Sequence, residues 1–354
     1  MRSAAVALTL VLAAAGPAAS ADAEAAVQGA IERYVKPGYA AFHAAGTALS
    51  DDLAALCAEP SPAALEEARA GFRAAVRAWA AIELVRFGPV TEDNRLERIL
   101  FWPDRKSTGL KQVQAALAQE DASAADPATL AGKSVAMQGL GALEFVLFGT
   151  DAEALADTAG YRCAYGHAIA ANIEGIAATV EAEWGKAGGF AQQWSNPGPD
   201  NPYYRDDTEA LNELVATFVN GLELVRDQRL GGFLGESKDE DKPKQALFWR
   251  SGETVPSLHA NLAGLKALFE AAALGELLPE PQRWIAQSIG FEFGNGLAAL
   301  DAVSGPAPDM LADETLRGKL GYFGLVTTSL TELFGTKLSG ELGLSAGFSS
   351  LDGD

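Results

Sequence analysis

Apolar residues recur at helical spacing through most of this chain, and no segment shows the period-two alternation of a half-buried strand. A first helix is predicted over about 24–57, kinked at Pro37-Gly38. Pro60-Ser61-Pro62 ends it, and a second follows over about 63–87, closed by Gly88-Pro89. Residues 90–110 read as irregular, with Trp102 held in an extended turn by the proline after it. Further helices are expected over about 109–119, 128–148, 161–184, 207–227, 253–274, 279–303 and 310–335. A second irregular stretch covers 229–250, and a Gly- and Ser-rich tail begins at Gly335. Residues 185–206, GKAGGFAQQWSNPGPDNPYYRD, are dense in Gly, Pro and Asn and form the clearest interior boundary. The expected fold is therefore all-α, with two helical bundles packed around a cleft, each holding about the helix count of a four-helix bundle. In residue terms, 22–190 is the N-terminal bundle, 191–206 a linker, and 207–354 the C-terminal bundle with its irregular tail.

The N-terminus changes the picture of where the protein works. Arg2 precedes an apolar run from Ala4 to Ala15, Gly16-Pro17 breaks it, and Ala19-Ser20-Ala21 supplies the small residues of a cleavage site. Residues 1–21 therefore read as a secretory signal peptide, too short to span a bilayer. No cysteine follows the apolar run before Cys57, so a lipid anchor is not expected. The expected location is the periplasm or an equivalent extracytoplasmic space. Cys57 and Cys163 are then a candidate disulfide. In alternating helices, the end of the first and the start of the one from 161 lie at the same end of a bundle, which places the two cysteines together. Asp and Glu number 47 against 27 Lys and Arg, a net charge of −20. Such a surface repels nucleic acid and anionic lipid.

A few polar residues sit on apolar faces. Phe72, Val76, Trp79, Glu83 and Arg86 follow spacings of 4, 3, 4 and 3 and share one stripe of the second helix. Glu83 and Arg86 are either an inward pair or an ion pair emerging into solvent beside Gly88. Glu144 is the only charge between Val135 and Thr150, in VAMQGLGALEFVLFGT. A carboxylate in such a helix finds a partner or keeps its proton. Glu144, Glu83, Arg86 and Asp104 of the FWPD run are expected to line a polar cleft, joined from the second half by Arg250 and Ser257. Ser257 and Thr254 have the simpler reading of helix caps. The three histidines, His43, His167 and His259, fall in no zinc-hydrolase spacing. Phosphate loops, G-x-S-x-G and haem-attachment motifs are absent as well.

WAAIELVRFGP (Trp79–Pro89), FWPD (Phe101–Asp104), RSGETVPSLHANLAGL, GLGALEFVLFG (Gly139–Gly149) and LGLSAGFSSLDGD at the C-terminus together resemble the imelysin-like family of exported bacterial proteins. The resemblance spans essentially the whole chain after the leader. It implies two helical bundles with a cleft between them, a periplasmic or outer-membrane setting, and a link to iron acquisition. The family was named for a peptidase activity and carries the signature G-x-H-x-x-E. Here the corresponding residues are Gly139, Leu140, Gly141, Ala142, Leu143 and Glu144. Glycine stands at the histidine position, so the His–Glu pair that could share a metal on one helix face cannot form. His167, reaching over from the helix at 161–184, is a candidate replacement beside Glu144; otherwise it is a surface residue near a helix start. Three functions compete: a non-catalytic binding or accessory protein for iron or another divalent metal, a metallopeptidase, and a scaffold for a periplasmic or outer-membrane partner protein or a surface polysaccharide.

Overall fold

The computed structural model describes residues 17–345 apart from Arg105, so most of the predicted leader, and the tail beyond 345, lie outside the described residues. Within these limits the chain is all-α, with no strand among the described residues.

Two helices, α1 (Pro17–Ala30) and α2 (Lys36–Ala58), follow one another through a π-turn at Ile31–Val35. Pro37 lies in the first turn of α2 and has no N–H to give to the turn before it. The irregularity expected at Pro37-Gly38 thus appears one turn earlier, as the wider turn that absorbs the lost bond. Ser61 caps α3 (Pro62–Ile82), its Oγ accepting from the Ala64 N–H at 3.2 Å. There follow α4 (Arg95–Ile99), α5 (Thr108–Gln119), α6 (Pro127–Leu130), α7 (Leu140–Phe148), α8 (Tyr161–Gly185) and α9 (Phe190–Ser195). The second half holds α10 (Asp207–Glu223), α11 (Thr254–Ala271), α12 (Trp284–Asp301), α13 (Ala307–Ala312) and α14 (Glu314–Glu332).

The helix expected over 128–148 is shorter than its apolar run suggests. After α6 the chain turns through a 3-10 segment, Val135–Met137, before α7 starts. Gln138 explains the break: it is fully buried, its amide donates to Lys133 O at 2.6 Å and it accepts from Arg98 Nε at 2.9 Å, which fixes the backbone around it in a non-helical path. The opposite correction applies at the C-terminus. The tail expected from Gly335 stays helical through a π-turn at Leu333–Leu338 as far as Glu341.

Helices α2, α3, α7 and α8 pack together, as do α10, α11, α12 and α14, and the two groups meet where α3 lies along α11. Phe42 packs on Trp79 in the first group (ring centroids 5.0 Å apart), and Phe218 stacks on Phe334 in the second (4.3 Å). Burying each such ring contributes about 1.5–3 kcal/mol. Cys57 and Cys163 form a disulfide across the end of α2 and the start of α8, with Cα atoms 5.6 Å apart. The 191–206 stretch is anchored by Trp194, whose Nε1 donates to Ala210 O at 3.0 Å. Phe87 and Trp184 pack against that ring, and Phe190 packs on both of them. No helix among the described residues is long and apolar enough to cross a membrane.

A candidate binding seam between the two halves

Three cavities follow one another along the seam where the halves meet, and Trp102 of the FWPD run lines all three. The peptide bond from Trp102 to Pro103 is cis. One cavity, of about 140 Å³, lies between Gly139, Gly141, Glu144 and Asp104 on one side and Lys244 and the run Ala246 to Arg250 on the other. A second, of about 200 Å³, is bounded by Trp79, Glu83 and Leu96 from the first half and by Asn220, Gln228 and Arg229 from the second. The third, of about 350 Å³, continues past Asp104 and Ser107 to Lys242 and Gln245.

Glu144 is 5% exposed and bound by a loop of the second half. Its Oε1 accepts from the backbone N–H of Arg250 (3.1 Å) and of Ser251 (3.0 Å) and from Ser251 Oγ (2.9 Å). Arg250 Nη1 lies 4.0 Å from Oε2, and its guanidinium covers the Trp249 ring at 4.5 Å. Burial pushes the Glu144 carboxyl above its ordinary range, against the pull of the Ser251 bonds and the Arg250 charge. Left-handed backbone at Phe248 (φ 59°) and Gly252 (φ 78°) turns the loop so that successive N–H groups point at that one carboxylate. Glu253, 2% exposed, ties the same loop to α3 through a two-toothed pair with Arg77, at 2.7 and 2.8 Å. Arg73 Nε donates to Ser251 O at 3.4 Å. The loop is thus a strap, fastened to α3 and α7 by charged groups.

Glu83 is also buried, but its partner is not Arg86. Helix α3 ends at Ile82, so Arg86 leaves the stripe that Phe72, Val76, Trp79 and Glu83 follow, and it is exposed at the rim of the second cavity. Glu83 instead accepts from Arg229 Nη2, and from Asn261 Nδ2 at 2.8 Å. Glu144 and Glu83 therefore line neighbouring cavities that share Trp102, rather than one pocket. Asp104 lines the first cavity while its carboxylate caps α5, accepting from the N–H groups of Thr108 (2.6 Å) and Gly109 (2.9 Å). Ser257 is buried and donates to Thr254 O within its own helix. Thr254 donates to Leu247 O, so neither hydroxyl caps α11. His167 is half-buried on α8 and is not among the partners of Glu144. At Gly166 the two helices come close, a Cβ there meeting Val146 and Leu143 of α7, whereas Glu144 turns about 100° from Leu143 toward the strap.

Sequence reasoning passed over Arg77, Glu253 and Arg229. Arg229 carried a signal of the kind that marked Glu83: Leu222, Val225 and Arg229 follow helical spacings of 3 and 4, and all three are buried. Glu253 and Arg77 left none, because their pairing joins segments that are remote in sequence.

The sequence model of the imelysin family matches residues 35–328 of this chain. The chain belongs to the imelysin family. Iron-regulated protein A of Synechococcus elongatus is 24% identical over 306 residues, covering 83% of this chain and 79% of that protein. An imelysin-like protein from Psychrobacter arcticum shares the fold at a TM-score of 0.75 and 22% identity, covering 93% of this chain and 98% of that one. A solved structure from Parabacteroides distasonis does so at 0.71 and 14%, covering 89% and 95%.

Within the imelysin signature the two glycines are not equivalent. A Cβ on Gly139 would come within 2.7 Å of Arg98 O and would run into Ile99 O, whereas a Cβ on Gly141 meets nothing within 4 Å. Gly139→Ala is therefore expected to destabilise by about 1–3 kcal/mol through overpacking against fixed backbone. Gly141→Ala, exposed on α7, should stabilise by about 0.5–1 kcal/mol. Urea midpoints of the two variants check the contrast, and equal shifts would contradict it.

Proposed function

We propose that this imelysin-family chain is an exported, periplasmic, non-catalytic binding or accessory protein in iron acquisition, using the seam between its halves. The observation that carries the reading is the engagement of Glu144. The signature carboxylate meets three N–H and O–H donors and a guanidinium, the surroundings of an anion, and not those a cation needs. A metal shared by Glu144 and a histidine at 141 does not fit these residues, since Gly141 stands there. Among the described residues no three of His, Cys, Asp and Glu gather as a ligand set. The disulfide and the leader-like N-terminus support an oxidising, extracytoplasmic setting. The link to iron rests on the name of the Synechococcus relative.

Complementation separates this reading from metallopeptidase action. A strain lacking the gene is expected to grow poorly under iron limitation and normally when iron is plentiful. Glu144→Gln keeps the acceptor oxygen that the strap uses and should restore growth, whereas a catalytic base would be lost with the charge. Failure of the Gln variant to complement while it folds and is exported, or growth of the deletion strain that ignores iron, would overturn the proposal.

A further inference from the structure

The residues around the second cavity of the seam carry buried donors that have no acceptor. Among the described residues, seven buried side-chain nitrogen or oxygen atoms lack a hydrogen-bond partner. Four of them are Trp79 Nε1, Trp102 Nε1, Arg229 Nε and Arg229 Nη1, and their three residues all line this one cavity. Arg229 is 6% exposed, and Glu83 occupies only its Nη2. Buried donors left unpaired cost about 1–3 kcal/mol each, and native proteins hold few of them. Every one of the four is a donor, so whatever completes the site brings acceptor oxygens.

We propose that this cavity binds a small organic carboxylate, its oxygens taking the free N–H groups of Arg229, Trp79 and Trp102. The charge balance limits an anion there to a single charge: Glu83 already offsets Arg229, and exposed Arg86 and Glu97 oppose each other at the rim. A dianion such as phosphate or sulfate finds too little positive charge there. Leu96, Leu100 and Leu224 form an apolar wall suited to a carbon body, which an inorganic anion lacks. About 200 Å³ admits a short-chain acid. The cavity lies between residues of both halves, so an occupant would hold the halves together.

This inference names the ligand chemistry of the seam and to that extent rests on the function proposed above. Its test is a titration of the full folded protein with butyrate and lactate, and with phosphate and sulfate at matched ionic strength. Tryptophan emission and calorimetry are the readouts, since two of the lining residues are indoles. Saturable binding of at least one carboxylate at millimolar concentration is expected, with the inorganic anions weaker. Trp102→Phe, which keeps an aromatic ring and removes the N–H, should weaken binding several-fold. The paired change Glu83→Gln with Arg229→Gln, which leaves no buried charge alone, should weaken it about tenfold or more. Far-UV circular dichroism confirms folding of each variant. The inference falls if the native protein binds neither carboxylate, if the inorganic anions bind more tightly, or if both folded variants bind as the native protein does. An iron-dependent growth defect without carboxylate binding would remove this inference alone. Carboxylate binding without that defect would remove the iron role instead.

Discussion

Replacing Cys57 and Cys163 together by alanine lowers the unfolding free energy by about 4–5 kcal/mol, the largest single loss expected in this chain. The bond closes a loop with a sequence separation of 106, and its main effect is to deny the unfolded chain the conformations in which α2 and α8 drift apart. The fully buried Cys163 adds a small cavity to the loss. Denaturant midpoints with and without reductant measure it on one polypeptide, and thiol counting on unreduced, denatured protein should find none. Two reactive thiols, or equal midpoints, would refute the expectation.

Glu83→Ala is the second large effect, at about 3–5 kcal/mol. The change leaves Arg229 with no carboxylate in surroundings where burial already pushes its guanidinium below the ordinary range and nearby Arg86 pushes it further. The same residues supply an internal control. Glu83→Leu combined with Arg229→Met removes both charges and should recover most of the loss, because apolar side chains fill such a site without desolvating ions. If the double variant is no more stable than Glu83→Ala, the pair is not the origin of the loss.

The helical architecture and the importance of Glu144 could both be read from the sequence, for different reasons. Helix positions follow from periodicity and from punctuation such as Pro60-Ser61-Pro62, both local properties. Glu144 stood out because a single charge in an apolar helix has few possible fates. The partners of these groups could not be read, since they depend on which segments meet. A helix running to residue 87 puts Arg86 on the stripe of Glu83, but the stop at Ile82 turns it outward. Ser257 looked like a cap, yet α11 begins with Thr254 and the Ser257 hydroxyl turns back to its own helix. Gln138 broke an apolar helix through bonds to Arg98 and Lys133 that no local pattern announces.

The packing of α1 bears on the order in which the protein can be assembled. Ala23, Ala26, Val27 and Ala30 are buried, and α1 packs on α10 and α11, with Gly29 against Ala271 and Arg33 donating to the Ala271 carbonyl. The first of the described helices to be made therefore finds its docking surface only after the chain beyond Asp207 has appeared. Such distant pairing carries a loop-closure cost before it gains any contact, so α1 is expected to settle late. Were the chain exported as proposed above, N-terminus first, it would benefit from that delay, because α1 could not lock into the native core while the rest was still in transit.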